Sequence, residues 1–81
     1  MREIIIGKTY KHFKGHLYKV LGIGYDTEKY DENNPENSKM VFYQGVETGI
    51  YWVRPYDMFN SLVDKEKYPK VEQKYRFEEV D

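Results

Sequence analysis

The sequence predicts a mainly-β fold, a small closed barrel or sandwich of five or six short strands with one short helical turn. Three observations predict it. Aromatic residues make up 17% of the chain, as nine Tyr, four Phe and one Trp, and flat rings pack well across a pleated surface. Short apolar segments are separated by turn residues at intervals of about 8–12 residues. Finally, 81 residues bury only roughly 60% of the unfolded surface. That leaves little chain for covering helices, and a sheet that closes on itself hides its own edges.

The elements follow in order. "TYKHF" and "LYKVLGIGY" flank Lys14-Gly15-His16, where glycine permits a tight reversal. This predicts a hairpin with strands near 8–13 and 17–25. Gly22 and Gly24 inside the second strand predict a bend or a close backbone approach. "DTEKYDENNPENSK" is polar, has no period and contains Asn33-Asn34-Pro35. It reads as a loop at about 26–38, either a mobile acidic insertion or a functional loop. "MVFYQ" is a third strand, "VETG" a turn and "IYWVR" a fourth strand. Pro55 has no N–H for a ladder, so it ends that strand and starts a helical turn over "PYDMF". "SLVD" is a possible fifth strand and "KEKYP" a charged turn. "KYRFEEV" alternates Tyr75 and Phe77 with Arg76 and Glu78 and reads as the closing strand. There is no internal repeat, and the expectation is one domain over residues 1–81.

Composition narrows the function classes. The chain has no Cys, which excludes a disulfide framework, a thiolate zinc site and a cysteine nucleophile and fits a reducing cytosol. "MREIIIGKTY" is too short in apolar residues for a signal-peptide core, and no run approaches the ~20 residues of a membrane span. A cytoplasmic protein without membrane contact is expected. Charged residues reach 33% but sum to -1, against a generic polyanion binder. The signs are segregated. Arg2, Lys8, Lys11, Lys14 and Lys19 make the first twenty residues basic, and Asp26, Glu28, Asp31, Glu32 and Glu36 make the following loop acidic. Either two solvated faces attract each other, or the basic segment offers a surface to phosphate.

Four segments, "YKHFKGHLYKVLGIG" at 10–24, "MVFYQG" at 40–45, "YWVRPYDMF" at 51–59 and "YRFEEV" at 75–80, together resemble the domain of unknown function 1653 family of small bacterial proteins. The resemblance covers most of the chain outside the acidic loop. It implies an SH3-like β-barrel and no established activity. Family members have a short His-Ser-Glu-like connection after the second strand. Here Asp26, Thr27 and Glu28 stand in its place and the loop is longer.

Enzyme signatures are scarce. His12 and His16 are separated by the turn at Gly15, which disfavours a shared metal. Ser38 and Ser61 lack a nucleophile elbow. Gly22 and Gly24 are followed by no helix that would cradle phosphate. Asp26 and Glu28 read as solvated loop acids rather than an acid–base pair. No cofactor is expected.

What stands out is alternation. Ile50, Trp52 and Arg54 share one strand face, and Tyr10, His12 and Lys14 share another. If those faces meet, aromatics stand beside His, Lys and Arg, with Met58 and Phe59 alongside and Glu28 at the edge. Guanidinium offers a planar fork and indole a stacking face. The candidate ligand-binding residues are therefore Tyr10, His12, Lys14, Glu28, Trp52, Arg54 and Met58. The competing structural reading puts Trp52 in the core and spends Arg54 on loop carbonyls or on Asp57 or Glu28. The functional expectation is a non-catalytic binding module with a small polar and aromatic pocket for an anionic or nucleotide-like ligand. A module for RNA or DNA, or for a peptide laid along Tyr43, Tyr51 and Tyr56, is the alternative.

Overall fold

The computed structural model describes residues 2–80 and is mainly β. Five strands form one antiparallel sheet: β1 (Thr9–His12), β2 (Leu17–Tyr25), β3 (Lys39–Gly45), β4 (Tyr51–Pro55) and β5 (Phe77–Glu79), in the order β4-β3-β2-β1-β5. One short helix, α1 (Tyr56–Phe59), follows β4 directly.

The first hairpin forms where the glycine sits. Gly15 has a φ of 104°, a region that side chains with a Cβ rarely enter, and its N–H donates to His12 O at 2.7 Å. The glycines of β2 act as the pattern implies. The register slips between Val20 and Gly22, which leaves Leu21 as the extra residue of a bulge. Beyond it, the Phe42 ring lies so close over Gly24 that a Cβ there would stand 2.9 Å from the ring edge.

The acidic loop is tied down by its own polar groups. Asp26 and Asp31 each accept the N–H two residues ahead, the loop closes with a 3-10 turn over Pro35–Ser38, and Asp26 N–H donates to Ser38 O at 2.7 Å. Among the described residues the ion pair is Lys39 with Glu36. Among these residues no ion pair joins the acidic loop to the basic first twenty.

The sheet is open, so the closed barrel is not formed. β4 and β5 are its two edges. The physical reason lies in the segment between α1 and β5. "SLVD" contributes only the isolated bridge Leu62 to Tyr75 among the described residues, and Pro69 beyond it has no N–H to extend a ladder. This segment instead folds across the mouth of the sheet as irregular chain. Lys65 Nζ donates to the carbonyls of Val71 and Gln73, and Gln73 Nε2 reaches Lys11 O at 2.8 Å.

Parity also explains Pro55. Gly45 N–H donates to Ile50 O, and Tyr43 pairs with Trp52 and Val41 with Arg54. Ladder groups alternate sides, so the backbone of Tyr51 and Val53 faces the free edge. The missing N–H of Pro55 faces it too, where a proline costs nothing.

The core lies on the concave face and is built of rings. Phe59 and Phe77 stack with centroids 4.0 Å apart and planes 5° apart. Tyr10 and Tyr43 meet Phe59 edge-on. Val20, Val41, Ile4 and Val63 complete the buried set. The N-terminal chain seals one side. Ile4 N–H donates to Tyr56 Oη and Ile5 N–H to Tyr10 Oη. Arg2 bonds Asn60 and Phe77 O, Asn60 returns a bond to Arg2 O, and the guanidinium lies 3.9 Å from the Tyr75 ring centroid.

Trp52 departs from expectation. It shares the core-facing side of the sheet with Tyr43, yet it remains 47% exposed. It belongs to an edge strand, and Phe59 has already plugged the centre.

Candidate functional site

Side chains from all five strands converge beside the core. His12 comes from β1, Tyr18 from β2, Tyr43 from β3, Trp52 and Arg54 from β4 and Phe77 from β5. Together they line a hollow of about 140 Å³. The cross-strand registers His12 to Phe77 and Tyr43 to Trp52 hold these residues on one face. His12 and Arg54 also line a larger cleft, about 330 Å³, whose far wall is Lys67, Tyr68 and Arg76, with Lys14 at its side.

Arg54 answers the question the sequence poses. Its Nε donates to Tyr43 Oη at 3.2 Å, and its guanidinium stands 5.7 Å from the Phe77 ring centroid. Among the described residues it pairs with no carbonyl and no carboxylate, neither Asp57 nor Glu28. The buried phenol thus fixes the stem of the fork, and its outer N–H groups have no partner among the described residues.

His12 is held between rings. It stacks on Phe13 at 4.4 Å and meets Phe77 edge-on at 4.9 Å. Burial first, then the charges of Arg54, Lys14, Arg76 and His16, push its pKa down to about 4. Near neutral pH the imidazole is uncharged. Its Nδ1 accepts the Lys14 N–H at 3.1 Å, which puts the ring proton on Nε2.

The cleft is cationic. Lys14, Arg54, Lys67 and Arg76 line it against one carboxylate, Asp64, whose oxygen already accepts the amides of Glu66 and Lys67. Lys14 Nζ sits 5.8 Å from the Tyr68 ring centroid and 6.0 Å from that of Phe13. Lys67 Nζ sits 5.6 Å from that of Tyr68. For Lys14, Arg54 and Lys67 the close contacts among the described residues are with rings rather than carboxylates. No group of three His, Cys, Asp or Glu among the described residues is placed to hold a metal ion.

Of the seven residues picked out by the sequence, the structure brings four together: His12, Lys14, Trp52 and Arg54. Three stand elsewhere. Tyr10 is 2% exposed and its hydroxyl is occupied by Ile5, so it is core. Glu28 lies in the loop beyond β2 and does not line the cleft. Met58 projects from α1, 47% exposed, and does not line it either. Sequence reasoning missed Arg76, Lys67 and Tyr68. Arg76 precedes β5, so strand alternation does not assign it to the cleft, and the chain distance from Lys14 to Lys67 leaves no local trace.

Neither the curated proteins nor the solved structures hold a match to this chain. A family model, described as "Protein of unknown function (DUF1653)", matches residues 8–79. Every strand and all of the cleft residues fall inside that span, and the chain belongs to this family.

Proposed function

We propose that the protein is a non-catalytic cytoplasmic binding module whose cleft takes a small anionic ligand. The observation that supports this reading is charge without counter-charge. Four cationic side chains meet in one ring-walled cleft against a single carboxylate that is engaged in its own turn. Like charges held close repel, and more so where water is partly displaced. An anion placed among them converts that repulsion into attraction. Arg54 presents a planar fork suited to phosphate or carboxylate, and neutral His12 offers an N–H from Nε2 without adding to the repulsion.

Binding fits better than catalysis. A general base works best with a pKa near the operating pH, whereas burial, and then neighbouring charges led by Arg54, hold His12 at about 4.

The reading is tested by calorimetric titration with inorganic phosphate. The wild type is expected to bind saturably, more weakly as salt rises. Arg54→Gln, with its circular dichroism unchanged, is expected to bind at least about tenfold more weakly, the equivalent of one charge-assisted hydrogen bond. Equal binding by a folded Arg54→Gln protein removes the central member of the site.

A further inference from the structure

The cationic cleft is one end of a longer groove. It shares His12 and Arg54 with the ring-lined hollow. That hollow in turn shares Tyr18 and Trp52 with an apolar hollow of about 220 Å³ that reaches Leu17, Ile50 and Glu47. The groove runs along the concave side of β4, from cations to rings.

Trp52 is what distinguishes the ring end. Tyr10, Tyr43, Phe59 and Phe77 on the same face are buried among one another, whereas Trp52 keeps 47% of its surface. It has no ring partner among the described residues. Its neighbour across the groove, Tyr18, is held edge-on by Tyr43 and Phe77. Arg54 and Trp52 stand two residues apart on one strand face, about 6.6 Å, a separation that one pentose bridges. At the opposite end Glu47 places a carboxylate, which disfavours a second phosphate there.

We propose that the groove takes a nucleoside monophosphate, with the phosphate among Arg54, Lys14 and Arg76 and the base against Trp52 and Tyr18. This rests on the anion-binding reading above and adds to it the flat ring, its orientation and the single phosphate. A base stacked on an aromatic side chain gains enough to raise affinity roughly five- to hundredfold. A nucleic-acid strand fits less well. The phosphate following the base falls toward Glu47, and the chain's net charge of -1 provides little of the electrostatic footprint that strand binding needs.

Trp52 is the only tryptophan, so its fluorescence reports the ring end alone. Adenosine monophosphate, adenosine, inorganic phosphate and a mixed-sequence single-stranded octanucleotide are titrated at equal ionic strength, by fluorescence and by calorimetry. Adenosine monophosphate is expected to bind at least about tenfold tighter than adenosine or phosphate and to quench Trp52 saturably. Trp52→Leu is expected to bring its affinity down toward that of phosphate. Phosphate binding as tightly as the nucleotide, with Trp52 emission unchanged, overturns the nucleotide assignment and leaves the anion reading standing. Failure of both phosphate and nucleotide to bind removes both. Tighter, steeply salt-dependent binding of the octanucleotide overturns the assignment in favour of a strand.

Discussion

The ring cluster around Phe59 and the cleft around His12 are joined by the hollow that Tyr43 and Phe77 line, yet their groups are satisfied in different ways. In the cluster, rings meet rings and each buried hydroxyl has a partner. Tyr10 Oη accepts from Ile5 and Tyr43 Oη from Arg54. In the cleft, cations meet rings and form no ion pair with a carboxylate among the described residues. The difference comes from position relative to the plug. Where α1 and the N-terminal chain cover the sheet, aromatic side chains become a sealed core. One strand further toward the edge, the same residue types border open solvent and keep unspent bonding capacity. A residue's chemistry does not say which role it takes; its distance from the covering element does.

The comparison breaks most visibly at Phe59. Phe59→Ala removes a fully buried ring that touches three others and is expected to cost about 3–5 kcal/mol in urea unfolding. Trp52→Ala, a larger truncation on the same face but at its open margin, is expected to cost only about 1 kcal/mol. Equal costs would mean that the two regions are one core. An intermediate effect is expected at the seal between N-terminus and α1. Asn60→Ala leaves Arg2 and its carbonyl without their partner and is expected to lower stability by about 1–3 kcal/mol.

The last test is the pH dependence of the cleft. The folded pKa of His12, about 4, lies below the ordinary 6.5 because of burial and then Arg54, Lys14, Arg76 and His16. Between those values the unfolded chain binds the proton and the folded one does not. Stability is therefore unaffected by His12 above about pH 6.5 and falls as the pH drops toward 4. The difference in unfolding free energy between wild type and His12→Gln is expected to be flat above that window and to shift against the wild type within it. A difference that stays constant down to pH 4 would mean that His12 is not desolvated.

Much of this architecture was legible in the chain, and the gaps have physical causes. The hairpin at Gly15, the distortion at Gly22 and Gly24, the stop at Pro55 and the helical turn after it are dictated by backbone chemistry within a few residues. Strand parity correctly put Trp52 with Arg54 on one strand face and Tyr10 with His12 on another, and the registers bring both to the core side of the sheet. What parity could not reveal is coverage. Tyr10 and Trp52 look alike in pattern, and only the path of α1 and of residues 2–6 decides that Tyr10 is sealed and Trp52 is not. The open sheet was hidden for a related reason. Whether "SLVD" pairs or drapes across the mouth depends on Lys65, Gln73 and Lys11 meeting over a long chain separation. The same drape brings Lys67, Tyr68 and Arg76 to Lys14, so the second wall of the cleft left no mark in any short segment.

The claim that holds the account together is that His12 and the unpaired cations form one anion-ready cleft. It is tested most directly by following the His12 ring protons by NMR across pH, once in chloride and once in sulfate at equal ionic strength. Sulfate keeps its charge throughout the titration. The account predicts a His12 pKa of about 4 in chloride that moves upward in sulfate, because a bound dianion offsets the cations that oppose protonation. An ordinary histidine pKa that is the same in both salts would contradict it.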